Sequence, residues 1–337
     1  MAHSDIKAVR YEAIFQPVWD EYVRKARQSS FLFERSFMDY HADRFTDASL
    51  IVRNAKNKIL ALLPACESRK EEKCIESHGG LTYGGLLLMP ETTTPEVEAA
   101  LAACISYYKE QGYSSLIYKP LPYIYHAYPA QDDLYALTRQ GARLYTRSVP
   151  SVIDLRCPYK FSILRQRKVR KALSQTSLQM TGGIDNLPAY WNLLDQVLQE
   201  HHNAHPVHTL GELHLLMKAF PQQIELCVVT LGSSAVQQSN QDAVAEQVVA
   251  GCILFHTSQV VHVQYIAAND QGRQIGALDW LFAQLIERSR SHSSDTPYFD
   301  FGTSTEQGGK ILNEGLIFQK EGFGARAVCY DAYRLDF

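Results

Sequence analysis

The sequence lacks several features that would point to a secreted, membrane-embedded or zinc-binding protein. Its seven cysteines are scattered, and no two of them have the C-x-x-C spacing of a zinc or redox site. Their odd number argues against a disulfide framework and favours a reducing compartment, so we expect a cytoplasmic protein. The first ten residues contain no apolar stretch of signal-peptide length, and no apolar run reaches the ~18 residues of a membrane-spanning helix.

A large excess of charge of either sign is also missing. The chain has 33 lysines and arginines against 36 aspartates and glutamates, which gives a formal net charge of -3. This balance argues against binding to DNA or to an anionic membrane over the whole surface, although a local basic patch remains compatible with it. With 337 residues, of which 46% are hydrophobic, the chain can form two packed cores, and we expect two domains.

The second half of the sequence has the clearer pattern of elements. The pattern predicts helix 161–175, strand 177–181, helices 186–201 and 210–220, strands 224–231, 248–256 and 260–267, helix 276–290, strand 298–301, helix 309–320 and strand 325–333. Three strands joined by short connections are antiparallel neighbours, whereas the strand–helix–strand unit that follows requires a parallel crossover. One mixed sheet with helices on both faces satisfies both requirements. The polar insert 232–247 has the composition of a flexible hairpin tip.

The first half is a looser version of the same arrangement. The predicted elements are helix 17–28, strands 49–53 and 58–66, a glycine-interrupted strand 81–89, helix 95–111, strand 114–118, helix 130–140 and strand 143–155. The paired glycines in 81–89 indicate a bulge or a close approach of another group to the backbone. We therefore predict an α/β fold with two mixed-sheet domains, residues 1–150 and 151–337, and a boundary near 148–158.

Seven segments, which together span nearly the whole chain, match a known family. They are SFMDYHADRFTD (36–47), LTYGGL (81–86), RQRKVRKA (165–172), PVHT (206–209), QYIAANDQGRQIGAL (264–278), YFDFGTSTE (298–306) and NEGLIFQKEGFG (313–324). These segments resemble the FemAB-like branch of the GNAT acyltransferases, and most closely the GNAT family N-acetyltransferases of Bacteroides-type bacteria. The resemblance implies two tandem GNAT-like domains. The best-known members of this branch attach amino acids to peptidoglycan precursors.

The segment after strand 260–267 is a candidate donor site, because amides at a helix N-terminus bind anions. The resemblance implies a turn of the form Q/R-x-x-G-x-G/A that holds the pyrophosphate of an acyl-CoA. Leu278 stands where glycine or alanine is usual, and tRNA-dependent members do not bind coenzyme A in that way. An ordinary strand–helix turn is the alternative. The candidate donor-binding residues, including those with amides for an oxyanion, are Ile266, Ala267, Ala268, Arg273, Gln274, Gly276 and Ala277.

A basic helix and an aromatic residue are candidates for substrate binding. Arg167, Arg170 and Lys171 have spacings of three and four residues, so one side of a helix could present them to a phosphate, a nucleotide-sugar diphosphate or a tRNA end. A solvated helix face is the alternative. Tyr83, beside two glycines, would position a substrate between the domains, unless it belongs to the core.

Four histidines occur within eight residues, 201–208. Pro206 ends the helix at about this point, and no glutamate completes an H-E-x-x-H motif, so we expect no metal site. His205 or His208 would instead serve as a base or a hydrogen-bond donor in a loop that lines the cleft. A purely structural loop is the alternative.

Two carboxylates are candidates for proton transfer. Asp300 lies in an apolar strand and needs partners, because an unpaired buried carboxylate is costly. It would either cap the turn at 302–304 or act in the cleft. Attack by an amine requires removal of a proton, and the candidate catalytic residues are Asp300, Glu314 and His205. Lys320 lies near the position of a family Phe-Lys-x-x-Phe-Gly signature, and we expect only a minor role for it.

The sequence therefore predicts a cytoplasmic N-acyltransferase without a tightly bound cofactor. It would move an acetyl or aminoacyl group from a CoA thioester or an aminoacyl-tRNA to an amine, on a small molecule or on a cell-envelope or polysaccharide precursor. Direct attack would be assisted by positioning and by oxyanion stabilisation. A tRNA end is a candidate partner, and DNA is not. The alternative is a non-catalytic GNAT pair that binds a ligand or supports an assembly, because fold alone does not establish chemistry.

Overall fold

The computed structural model describes residues 6–174, 178–231 and 247–337. The first half contains β1 (Lys7–Arg10), α1 (Gln16–Lys25), α2 (Arg35–Met38), β2 (Leu50–Arg53), β3 (Ile59–Leu63), β4 (Cys66–Glu67), β5 (Cys74–Glu76), β6 (Leu87–Leu88), α3 (Thr94–Glu110), β7 (Ser115–Tyr118), α4 (Asp132–Arg139) and β8 (Arg143–Ser148). The insert predicted at 232–247 lies outside the described residues except for Gln247.

The second half begins with β9 (Pro150–Asp154), α5 (Ile163–Leu173), β10 (Leu178–Gly182), α6 (Leu187–His202), α7 (Leu210–Ala219), β11 (Ile224–Leu231), β12 (Gln247–His256) and β13 (Val260–Ala268). It continues with α8 (Asp270–Ile275), α9 (Ala277–Arg290), β14 (Tyr298–Thr303), β15 (Thr305–Glu306), β16 (Ile311–Leu312), α10 (Glu314–Glu321), β17 (Arg326–Ala327) and β18 (Tyr330–Asp336). None of the helices in the described residues is long and apolar enough to cross a membrane.

The largest sheet is the mixed sheet that the sequence predicts. Its strand order is β10-β11-β12-β13-β14-β9-β17. The strands β10 to β13 are antiparallel neighbours, and β14 joins β13 in parallel after the crossover through α8 and α9. The fold class is therefore confirmed. The first half forms a four-stranded sheet, β1-β2-β3-β6, and a five-stranded sheet, β4-β5-β7-β18-β8.

The strand predicted over 143–155 is wrong as one element, because the chain changes sheets within it. The segment β8 is an edge strand of the five-stranded sheet, whereas β9 lies between β14 and β17. Proline cannot donate to a strand ladder and is tolerated as the first residue of a strand, and Pro150 begins β9. The last strand, β18, returns to the first half and pairs with β7 and β8. The second half thus contributes one strand, β18, to a sheet of the first half.

Two other predicted elements are shorter in the structure. The strand predicted at 81–89 is regular only at Leu87–Leu88. At Gly84 the chain passes so close to Ser77 that a Cβ would lie 2.2 Å from the Ser77 carbonyl oxygen. This is the close backbone approach that the glycines indicated. The helix predicted at 309–320 begins at Glu314, where the Asn313 side chain accepts from the amide of Leu316 at 2.9 Å. The preceding residues form the small hairpin β15–β16.

A continuous core joins the two halves. Phe31 of the first half packs 5.3 Å from Phe220 and 5.4 Å from Phe255 between ring centroids. An ion pair between Arg44 and Glu212, at 2.6 Å, links the same two halves nearer the surface. Buried aromatic contact of this kind fixes how the halves face each other, and it therefore fixes the cleft between them.

Candidate functional site

The central feature of the large sheet is a split between β13 and β14. These strands pair only over Val260–His262 and Tyr298–Asp300, and beyond that point they diverge. A register shift opposite Ile253 and Leu254 leaves Gln264 as an extra residue in β13. Such a bulge bends a strand and increases its local twist, which directs the end of β13 away from β14. The two strands therefore form a V-shaped opening in the sheet.

The split opens into a cleft of about 610 Å³ between the two halves. One wall is the end of β13, and the other is the end of β14 with α10. The first half contributes residues from β8 and from the loops at 82 and 119, and β18 contributes Tyr330. Apolar side chains form much of the lining, namely Leu194, Leu198, Val263, Ile266, Phe301 and Leu316. Clefts of this size with a few convergent polar groups are the usual place for a small ligand.

The base of the cleft holds a buried polar cluster around Asp300. The Oδ2 atom of its carboxylate accepts hydrogen bonds from Tyr125 (2.7 Å), from Tyr330 and from Nδ1 of His262 (2.9 Å). Its Oδ1 atom accepts from the amide of Gly302 at 2.7 Å. Asp300 is fully buried. The carboxylate therefore caps the turn after β14, one of the two alternatives that the sequence left open, and a role for it in the cleft stays a prediction.

The ionisation of this cluster follows from its contacts. Burial raises the pKa of Asp300, but the charge and hydrogen bond of His262 and the hydroxyls of Tyr330 and Tyr125 outweigh burial, so the net pKa is lowered. Burial and the charge of Asp300 raise the pKa of both tyrosines well above 10. Asp300 is consequently an acceptor only, and Nδ1 of His262 must carry the hydrogen that it donates.

His262 connects this cluster to the cleft. With Nδ1 bound to Asp300, the second nitrogen, Nε2, has no hydrogen-bond partner among the residues that the structure describes. The imidazole ring is itself part of the cleft lining. A carboxylate that binds one nitrogen fixes the tautomer and leaves the lone pair of the other nitrogen free to accept a proton.

Lys320 occupies the β14 side of the split. Its ammonium donates to the carbonyl oxygens of Gly302 (2.9 Å) and Thr303 (2.6 Å), which lie beyond the last residue of β14 that pairs with β13. Only 4% of the residue is exposed. Burial lowers the pKa of Lys320 to about 8, and the charge of Asp300 offsets part of this effect. The lysine therefore stabilises the open edge of β14 and presents an amine or ammonium to the cleft.

The three predicted catalytic residues occupy different environments. Asp300 lies at the base of the cleft, whereas Glu314 is exposed in the first turn of α10 and lies outside the cleft lining. His205 lines the rim with a side chain that is 72% exposed, and it contacts Asp195 (2.7 Å) and Gln199 (2.8 Å). Of the three, only His205 lines the cleft, whereas Asp300 is buried behind His262 and Tyr330 and Glu314 lies outside.

Two predicted substrate-binding residues lie behind the cleft wall. His208 is buried, and its Nδ1 lies 2.5 Å from the hydroxyl of Tyr265, a cleft residue. Burial lowers the pKa of His208 to about 4, so its ring is neutral at pH 7. Tyr83 is buried with its ring 4.9 Å from that of Tyr125. His208 thus supports a side chain that lines the cleft, and Tyr83 packs against the buried cluster around Asp300.

The predicted donor turn and the predicted basic helix lie against each other. Gly276 joins α8 to α9 with a φ of 79°, and the N-terminus of α9 has no side-chain cap from the described residues. Lys171 of α5 donates to the carbonyl oxygen of Gln274 at 2.8 Å. The guanidinium of Arg273 binds Ala268 O (2.6 Å) and Asp270 (2.5 Å). The other residues of these two groups are Ile266, which lines the cleft, the buried Ala267 and Ala277, and the exposed Arg167 and Arg170.

Sequence reasoning missed three members of the central cluster. His262 had a usable signal: it interrupts the apolar run VVHV as the third residue of β13, and Asp300 is the third residue of β14. Aligning two parallel strands at their starts places these residues side by side. Tyr125 and Tyr330 had no local signal, because they arrive from a loop of the first half and from the returning strand β18.

Comparison with known proteins identifies the fold. No protein-family model matches the sequence, and no curated protein matches it. Solved structures match over nearly the full chain. The chain is similar to FemX, with a TM-score of 0.67, 11% identity, and coverage of 98% of this chain and 97% of that one.

Two further structures agree with this likeness. L-PGS from Bacillus licheniformis has a TM-score of 0.59 at 11% identity, over 96% of this chain and 91% of that one. A tandem GNAT protein from the clavulanic acid biosynthesis pathway has a TM-score of 0.53 at 9% identity, over 98% of both chains. At such identities the likeness shows the fold alone. The chain has the tandem GNAT-like fold, and the resemblance to FemAB-like proteins is confirmed at that level.

Proposed function

We propose that this protein is a cytoplasmic N-acyltransferase that uses the cleft at the split of β13 and β14. It transfers an acetyl, other acyl or aminoacyl group from a CoA thioester or an aminoacyl-tRNA to an amine. The acceptor is a small molecule or a cell-envelope or polysaccharide precursor, an assignment that rests on the resemblance of the sequence to the FemAB-like branch. The observation that carries the proposal is the pair of His262 and Asp300 at the point where the two strands separate.

The donor carbonyl lies along the unpaired edge of β13. Beyond His262, the edge of β13 that faces β14 pairs with no strand of the described residues, and Gln264, Tyr265 and Ile266 line the cleft there. Backbone amides on such an edge are preorganised donors for the oxyanion that forms during acyl transfer. The phosphates of the donor extend toward the N-terminus of α9 and Lys171, where amides and a cation attract an anion.

His262 takes the proton of the attacking amine. The amine nitrogen attacks the carbonyl carbon while its proton passes to Nε2 of His262, and Asp300 stabilises the imidazolium. The C–S or C–O bond to the donor then breaks, and the leaving thiolate or ribose oxygen takes up the proton that His262 had accepted, which restores the neutral imidazole. Asp300 is a positioning residue in this scheme, and His205 contacts the acceptor at the rim.

A panel assay tests the proposal. The purified protein is incubated with acyl-CoAs or aminoacyl-tRNAs and a set of amines, and products are identified by mass spectrometry. We expect an amide product that depends on His262, so that His262→Gln removes turnover. His292→Gln is the matched control, because His292 is exposed at the end of α9. Turnover that is equal in both variants contradicts the proposal.

A second candidate, a protein that binds a ligand without catalysis, is favoured by one contact. Arg273, the residue expected to approach a donor pyrophosphate, is already bound to Ala268 and Asp270. If neither acyl-CoA nor aminoacyl-tRNA supports turnover, and a cellular function survives Arg273→Ala together with Gly276→Ala, this second function replaces the first.

A further inference from the structure

Two lysines face the cleft from opposite halves of the molecule. Lys119 directly follows β7 of the first half, and Lys320 lies in the last turn of α10. The ammonium of Lys119 donates to the carbonyl oxygens of His78 (2.9 Å) and Leu81 (3.0 Å). Lys320 has the same arrangement, with two carbonyl partners from the end of β14. Each ammonium is thus held by two neutral acceptors.

Neither lysine forms an ion pair within the described residues. The nearest carboxylates are engaged elsewhere: Asp300 accepts from His262 and two tyrosines, and Glu76, which acts on Lys119 electrostatically, accepts from Ser68 at 2.7 Å. Burial lowers the pKa of both lysines, to about 8 for Lys320. Two positive charges therefore share a largely apolar cleft without a directly bound counter-charge, an arrangement that is costly unless an anion completes it.

Each ammonium also has an unused donor. A lysine side chain carries three N–H groups, and two of them are occupied by backbone carbonyls in both residues. The backbone contacts fix the position of the nitrogen, so little side-chain freedom is lost when a third partner binds. Charge-assisted hydrogen bonds from such prepositioned donors are stronger than hydrogen bonds between neutral groups.

We propose that Lys119 and Lys320 form an anion site that binds a carboxylate or phosphate group of the amine acceptor. This inference rests on the proposed acyl transfer, because it assigns the acceptor to the class of anionic amines. Lys320 binds the backbone of β14 within three residues of Asp300, so the anionic group lies close to the amine that His262 deprotonates. A neutral amine of the same size leaves both ammonium groups without a counter-charge.

Binding without any donor tests the anion site separately from catalysis. Titration calorimetry with inorganic phosphate and with glutarate as probes distinguishes phosphate from carboxylate. We expect binding of at least one probe, weakened by about tenfold or more in Lys119→Met and in Lys320→Gln. The glutamine keeps a donor for the carbonyls of β14 while removing the charge. Lys310→Met is the matched control, because Lys310 is exposed.

Paired acceptors test the consequence for transfer. Glycine is compared with glycinamide, and phosphoethanolamine with ethanolamine. We expect kcat/KM to be about tenfold or more higher for the anionic member of at least one pair. In Lys119→Met this preference falls toward unity, whereas Lys310→Met, on an exposed lysine, keeps it.

The outcomes separate the two proposals. Binding of a probe without acyl transfer supports the anion site and contradicts the proposed function. Transfer to neutral amines as fast as to anionic ones overturns the anion site and leaves the function. Probe affinities unchanged in both lysine variants, with melting curves that show folded protein, overturn the site directly.

Discussion

The imidazole of His262 donates from Nδ1 to the carboxylate of Asp300 at 2.9 Å, at the last paired residues before β13 and β14 separate. This relationship links the geometry of the sheet to its proposed chemistry. A bulge at Gln264 opens the strands, and the opening gives the imidazole access to the cleft. The carboxylate stays buried behind it and is held by two tyrosine hydroxyls.

Asp300→Asn should remove most of the activity without closing the cleft. The amide can donate toward Nδ1 of His262 and would then favour the tautomer with hydrogen on Nε2, so the nitrogen that faces the cleft could no longer accept a proton. Loss of general base catalysis typically lowers kcat by about 100-fold or more. Kinetics over a pH range, with KM and kcat separated, check this, and Asp295→Asn is the exposed control. An unchanged kcat would show that the pair is structural.

Tyr330→Phe should destabilise the protein and raise the pKa of Asp300. The hydroxyl of Tyr330 donates to Asp300 and lies 2.9 Å from the hydroxyl of Tyr125, both fully buried partners. Removing one donor to a buried carboxylate costs about 1–3 kcal/mol of unfolding free energy. Urea unfolding measures this cost, and Tyr128→Phe, on an exposed tyrosine, is the control. Equal stability of the two variants contradicts the expectation.

The strand order of the large sheet could be predicted from sequence because its causes are local. Three apolar runs joined by short connections, followed by a helix and another strand, require the observed strand order. The return of β18 to the first half could not be predicted, because its pairing with β7 and β8 joins residues that lie far apart in the sequence. The same long-range pairing brings Tyr330 to Asp300, so half of the cluster was beyond local reasoning.

Three histidines in one aromatic stack with Tyr40 should make the folded protein less stable in mild acid. Tyr40 stacks on His41 and on His208, and His41 stacks on His78. Burial lowers the pKa of all three, to about 3 for His78 and about 4 for His208. Below the unfolded value of about 6.5, the unfolded state binds more protons, so stability falls with falling pH by about 1.4 kcal/mol per pH unit for each fully shifted group.

Urea unfolding between neutral pH and about pH 4.5, which lies within the window set by these shifts, measures that slope. His78→Phe keeps a ring in the stack and removes one titrating group, so the slope should become shallower. His292→Phe is the control, because His292 is exposed. A slope that is the same in both variants would show that His78 does not contribute to the acid sensitivity.

The turn at Gly276, between α8 and α9, should show whether the donor is coenzyme A or tRNA. If the donor is an acyl-CoA, its pyrophosphate contacts the uncapped N-terminus of α9 beside Lys171. Lys171→Met and Arg273→Ala should then weaken acetyl-CoA binding by about tenfold each, because each removes a charge near the anion. Calorimetry with acetyl-CoA measures this, and Lys109→Met, at the exposed end of α3, is the control. Absence of acetyl-CoA binding at millimolar concentration, together with turnover of an aminoacyl-tRNA, would assign the turn to tRNA instead.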